Sequence, residues 1–146
     1  MKRLTIFLLA LATAFSAFGS GTALALAEAP TRYVSIGDSI AAGAGLPFAD
    51  DRPETVACVR SNSAYPTFVA EKLELPLEHY ACGDATVPQG ISGPQSIGSM
   101  QLTPQIERLF KDSSVPSHVS LTVGSNDIQW STFIRKCYAA ECGSWQ

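Results

Sequence analysis

Apolar and polar positions switch rhythm along the chain, and the switches predict the elements. Thr31 to Ile36, TRYVSI, is short, apolar and β-branched and stops at Gly37, the pattern of a buried strand. Small, Gly-rich Ile40 to Leu46 predicts a loop or short helix, and polar Phe48 to Asn62, with Pro53, a long loop. Ala64 to Leu75 sets Phe68, Val69, Leu73 and Leu75 at helical spacing, with Pro66 in the first turn. Leu77 to Ala81 predicts a second strand, and Gly- and Pro-rich Cys82 to Met100 a loop. TPQIERLFKD predicts a helix with Thr103 as N-cap and Pro104 at its first position. Val119 to Val123, VSLTV, predicts a third strand ended by Gly124, and a helix follows from Asp127 towards Lys136.

Strands that alternate with helices predict a parallel sheet covered by helices. Ligands of such sheets sit outside the carboxyl ends of the strands. Three loops leave those ends: GDS after the first strand, CGDAT after the second and GSND after the third.

The residues before the first strand carry a different signal. Lys2 and Arg3 precede an uncharged apolar run from Leu4 to Phe18, and Ala25-Leu26-Ala27 fits a small-x-small cleavage pattern. The expectation is an export signal over 1–27 and one domain over 28–146, placed in the periplasm or outside the cell. The apolar run is short for a bilayer span, so no stable membrane insertion is expected. Removing Lys2 and Arg3 leaves eight basic against thirteen acidic side chains, a net charge of −5 in place of −3. With no basic cluster, nucleic acid is not an expected partner.

Four cysteines, Cys58, Cys82, Cys137 and Cys142, read as two disulfides in an exported chain. Three pairings are open; the short spacing favours Cys137 with Cys142, which leaves Cys58 with Cys82. No C-x-x-C is present and neither His stands near a Cys pair, which argues against zinc. Asp50 and Asp51 read as a solvated loop, since calcium needs more oxygen ligands. Gly43 and Gly45 belong to neither a dinucleotide fingerprint nor a Walker motif, so no cofactor is expected.

Ester hydrolysis without a metal needs an activated hydroxyl, donors aimed at the developing oxyanion, and a base. Ser39 stands at a strand-to-helix junction beside Asp38, Gly83 can expose a backbone N–H, and Asn126 brings a side-chain amide. GDSIAAGAG, Gly37 to Gly45, resembles the first block of the SGNH, or GDSL, hydrolase family, and GSND, Gly124 to Asp127, resembles its G-x-N-D block. CVRSNSAYP, Cys58 to Pro66, and ACGDAT, Ala81 to Thr86, resemble segments of the secreted, disulfide-bonded bacterial esterases and lipases. The resemblance runs from about Arg32 to Cys142.

The resemblance implies a three-layer α/β/α flavodoxin-like fold, with three strands in the order 2-1-3 of the family's five. It implies an acyl-enzyme on Ser39, oxyanion donors from Ser39, Gly83 and Asn126, and structural support from Gly37, Asp38, Gly124 and Asp127. Substrates would be small-molecule or lipid esters. Relatives often carry Gly where this chain has Asp84, so the second donor maps to 83 or 84. The family's base lies on a D-x-x-H block that these 146 residues lack. At strand rise, His118 lies roughly 26 Å from Asn126 and His79 roughly 13 Å from Gly83, so neither serves as the base. The expectation is the N-terminal portion of a longer hydrolase, inactive alone, with the third strand open to pairing with another chain. A non-catalytic carbohydrate- or lipid-ester-binding protein on the same scaffold is the alternative. Trp130 and Phe133 are expected to pack on the sheet rather than line an acyl pocket.

Overall fold

All five residues of Tyr33–Gly37 (β1) are buried, and the rest of the fold is arranged around them. The computed structural model describes residues 31–111 and 115–139. The expected leader and Cys142 lie outside the described residues.

β1 is followed by Ser39–Ala42 (α1), Pro53–Ala57 (α2), Tyr65–Leu73 (α3) and Leu77–His79 (β2). Then come Gln95–Ile97 (β3), Met100–Leu102 (β4), Gln105–Arg108 (α4), His118–Thr122 (β5) and Trp130–Ala139 (α5). β2, β1 and β5 form a three-stranded parallel sheet in that order, so the expected 2-1-3 arrangement is observed. Tyr33 pairs with Leu77 and with His118, and Gly37 pairs with Thr122. The fold is a mixed α/β fold of flavodoxin-like class.

The structure corrects several expected elements. The loop over Cys82 to Met100 runs into an antiparallel hairpin, β3 with β4, which turns at Gly98 with φ +59°. The loop around Pro53 holds α2, which that proline starts, because a missing N–H costs nothing in a helix's first turn. Thr103 does not cap α4; Pro104 is the N-cap and makes no side-chain bond. α5 begins at Trp130, three residues after Asp127, because 127–129 form a turn in which Gln129 holds a φ of +53°.

The core consists of small clusters. Val34 and Ile36 of β1 pack with Leu109, and Ala41 and Ala42 of α1 pack with Ala81. Cys58, Cys82 and Leu102 form a third cluster around the Cys58–Cys82 disulfide, which agrees with the expected pairing. α3 turns Pro66 and Ala70 inward, while Phe68, assigned to its apolar face, is exposed. Glu54 of α2 accepts from Arg60 at 2.7 Å and Arg108 at 2.8 Å, tying α2 to α4. Burial alone would raise the Glu54 pKa, but those two guanidinium groups outweigh it and hold it below its ordinary value.

The β5 side of the sheet differs. Val119 and Leu121 are half exposed, and α5 buries none of its described residues. Trp130 and Phe133 stack on each other at 5.8 Å but remain about half exposed, so they do not pack on the sheet as expected.

One backbone position carries strict steric demands. Gly37 has φ +143°, and a Cβ there would come within 2.5 Å of Thr122 O. A side chain would push β5 off β1. Gly37→Ala is expected to cost roughly 2–3 kcal/mol, measured as a lower urea midpoint with unchanged slope. A variant as stable as the parent would contradict this reading of the β1–β5 contact.

Candidate active site

Past Gly37 the chain leaves the sheet, and Asp38 organises the exit. Asp38 is extended and N-caps α1, its Oδ1 accepting from the Ile40 N–H at 3.0 Å. The same oxygen accepts from Thr122 Oγ1 at 2.9 Å, and Oδ2 accepts from Ser125 Oγ at 2.9 Å. The Asp38 N–H donates to Thr122 O at 3.0 Å, and the side chain is 2% exposed. One buried carboxylate therefore joins the first and third loops. Because Asp38 does the capping, Ser39 Oγ makes no hydrogen bond among the described residues, although Ser39 is the first residue of α1.

The second loop is braced from three sides. Its ladder continues beyond β2, with Tyr80 N–H donating to Ser35 O at 2.8 Å and Cys82 N–H to Gly37 O at 3.0 Å. Cys82 is bridged to Cys58, and the Gly83 N–H donates to Cys58 O at 3.0 Å. Gln95 Nε2 donates to Gly83 O at 2.6 Å. The Gly83 N–H, assigned as an oxyanion donor, is thus already used. Asp84 follows in the left-handed region with φ +59°, which Gly adopts freely and Asp better than most residues. No acceptor among the described residues takes its N–H.

The third loop closes on the second. Gly124 has φ +111°, Asn126 Nδ2 donates to Ala85 O at 2.9 Å, and Asp127 Oδ1 accepts from the Val87 N–H at 2.9 Å. Ser39, the 82–87 loop and the 124–127 loop are therefore one bonded assembly at the carboxyl end of the sheet. Asn126 keeps its second amide hydrogen. Gln95 and Gln105, both buried, hold this assembly from beneath and carried no signal in the sequence pattern. A buried glutamine reads in sequence as a surface residue.

The histidines take other roles. His118 is the exposed first residue of β5, opposite Tyr33 and at the far end from Ser39. His79 pairs with Ser35 on β2, and its Nε2 lies 3.0 Å from Ala41 O, which can only accept. It therefore braces the back of α1, a contact that strand rise alone did not suggest. Burial lowers its pKa from 6.5 to about 4, with the positive Arg60 adding to the effect and the Ala41 bond opposing it. Three concave spaces, of about 400 Å³ beside Tyr80 and Arg108, 390 Å³ beside Arg60 and His79, and 240 Å³ beside Phe133, do not include Ser39. Ser39 is itself half-buried, next to Ile40, which is 65% exposed.

This arrangement is a flavodoxin-like α/β scaffold with its loops gathered at the carboxyl end of the sheet. The solved extracellular lipase of Streptomyces rimosus shares the fold over 74% of this chain and 40% of its own, at 24% identity and a TM-score of 0.52. The phospholipase A1 of Streptomyces albidoflavus aligns over 75% and 40%, at 24% identity and a TM-score of 0.49. Lipase 2 of Streptomyces coelicolor is 34% identical over 112 residues, 77% of this chain and 34% of its own length. No family model matches the chain. The GDS and GSND motifs and the 34% identity to Lipase 2 support assignment of the chain to the GDSL/SGNH lipase family. It spans about a third of the length of Lipase 2.

The His79 contact has a measurable pH consequence. The unfolded chain takes up the proton near pH 6.5 and the folded chain only near 4. The stability gained from the neutral ring is therefore present above pH 6.5 and is lost as the pH falls towards 4. His79→Gln, which keeps a donor for Ala41 O, is expected to flatten the loss of stability between pH 6.5 and 5. Parallel denaturation curves for the two proteins over that range would refute the assignment.

Proposed function

We propose that this chain carries the nucleophile and oxyanion side of an exported serine ester hydrolase acting on lipid esters. One observation carries the reading: Asp38 takes the capping role in place of Ser39 Oγ and bonds the Ser39 loop to the 124–127 loop, which in turn bonds to the 82–87 loop. Ser39 Oγ attacks the ester carbonyl carbon, and the oxygen that gains charge is met by the Ser39 N–H, the Asp84 N–H and the free hydrogen of Asn126 Nδ2. Asp84 replaces Gly83 as second donor because Cys58 O occupies the Gly83 N–H. The C–O bond to the alcohol breaks, the alcohol leaves with the proton that Ser39 Oγ gave up, and water hydrolyses the acyl-serine to the acid and free Ser39. Gly37, Asp38, Gly124 and Asp127 hold the loops. The extracellular lipase among the structural neighbours, the Cys58–Cys82 disulfide and the leader-like residues 1–27 support export. The half-exposed β5 supports pairing with another chain.

The base is neither His79, which faces Ala41, nor His118, at the opposite end of the sheet. The 146-residue chain alone is therefore expected to hydrolyse a p-nitrophenyl ester no faster than its Ser39→Ala variant. The oxyanion donors remain, so an activated p-nitrophenyl alkylphosphonate is expected to label Ser39 slowly, with release of p-nitrophenolate, as a mass shift absent from Ser39→Ala. Failure of that label would refute the nucleophile assignment. It would favour the second reading, a non-catalytic ester-binding protein on the same scaffold.

A further inference from the structure

We propose that Gln105 is a positioning residue that sets Ser39 against the oxyanion loop; the inference rests on the ester-hydrolase reading above. The observation is a break in the sheet ladder. β1 and the segment after β2 exchange bonds in parallel fashion, Tyr80 N–H to Ser35 O and Cys82 N–H to Gly37 O. The Gly37 N–H does not join that exchange. It donates to Gln105 Oε1 at 2.7 Å, and Gln105 Nε2 donates to Gly37 O at 3.0 Å. A side-chain amide thus stands where a neighbouring strand's peptide would stand, binding both backbone groups of one residue.

Gly37 is held on its other side. A Cβ there would meet Thr122 O, so the residue is wedged between Gln105 and β5. Its carbonyl is shared between Gln105 Nε2 and the Cys82 N–H, one residue before Gly83. Ser39 is two residues further along. The three-way bond at Gly37 therefore fixes where the nucleophile leaves the sheet and where the oxyanion loop begins. Gln105 is itself anchored, its N–H donating to Gly90 O at 2.8 Å and the Ile106 N–H to Ile91 O at 3.1 Å. The side chain is 3% exposed, so water cannot replace it. An uncharged amide offers both the donor and the acceptor that this peptide group needs. Methionine fills the volume and offers neither.

The test compares the parent, Gln105→Met and Ser39→Ala in phosphonate labelling, reading the maximal rate and the half-saturating concentration separately. Gln105→Met is expected to lower the maximal rate roughly ten- to a hundred-fold, with half-saturation changed by less than about two-fold and cooperative melting retained. Amide hydrogen exchange at Gly37 is expected to speed up in the same variant. Labelling at the parental maximal rate, or parental exchange at Gly37, overturns the inference. A parent whose label does not depend on Ser39 overturns instead the hydrolase reading, and with it any role of Gln105 in reactivity. Should Gln105→Met fail to fold, Gln105→Glu serves in its place: it keeps the acceptor for the Gly37 N–H and loses the donor to Gly37 O, so the labelling rate alone decides, a roughly ten-fold or greater loss supporting the inference and the parental maximal rate overturning it.

Discussion

The Asp38 carboxylate is the interaction on which the rest of the site depends. It is buried, and it accepts from a backbone N–H at the start of α1 and from two hydroxyls, one at the end of β5 and one on the third loop. A buried carboxylate is tolerated only when its lone pairs are used, and each donor lost would leave a desolvated acceptor costing on the order of 1–3 kcal/mol. That demand makes the geometry mutual: the loop that carries Ser39 and the loop that carries Asn126 each complete the other. Ser39 gains from the arrangement, because the capping duty that serines often perform is taken by its neighbour.

A second constraint acts from below. The sheet loses its regular ladder at the height of Gly37, where the chain must stop being a strand and start being a loop. Two glutamine amides span the gap, Gln105 on Gly37 and Gln95 on Gly83. Neutral amides suit such a place, since they satisfy peptide groups without burying charge.

Legibility followed the kind of force involved. β1 was readable because burial demands an apolar run, and β5 because its β-branched run reads as a strand whether or not it is covered; the strand order followed from the family resemblance. GDS and GSND were readable because turn and capping chemistry restricts residue type. The hairpin of β3 and β4 was hidden because Ser96 and Gln101 face outward and the stretch is dense in Gly and Pro. The bond from the Gly83 N–H to Cys58 O was hidden because backbone hydrogen-bond partners leave no trace in residue type. The exposure of Trp130 and Phe133 was invisible for a different reason: their spacing reports an apolar face and says nothing of what covers it.

The bonds that build the site are long in sequence. Gly37 and Gln105 are 68 residues apart, Asp38 and Ser125 are 87 apart, and Arg32 reaches Leu109 across 77. Such contacts form late, since the entropy of closing long loops must be met before they contribute. Ser39 is made well before residue 125, so its loop cannot complete the Asp38–Ser125 bond until residue 125 has emerged. The order of synthesis thus keeps the Ser39 loop unassembled while the chain is still being made.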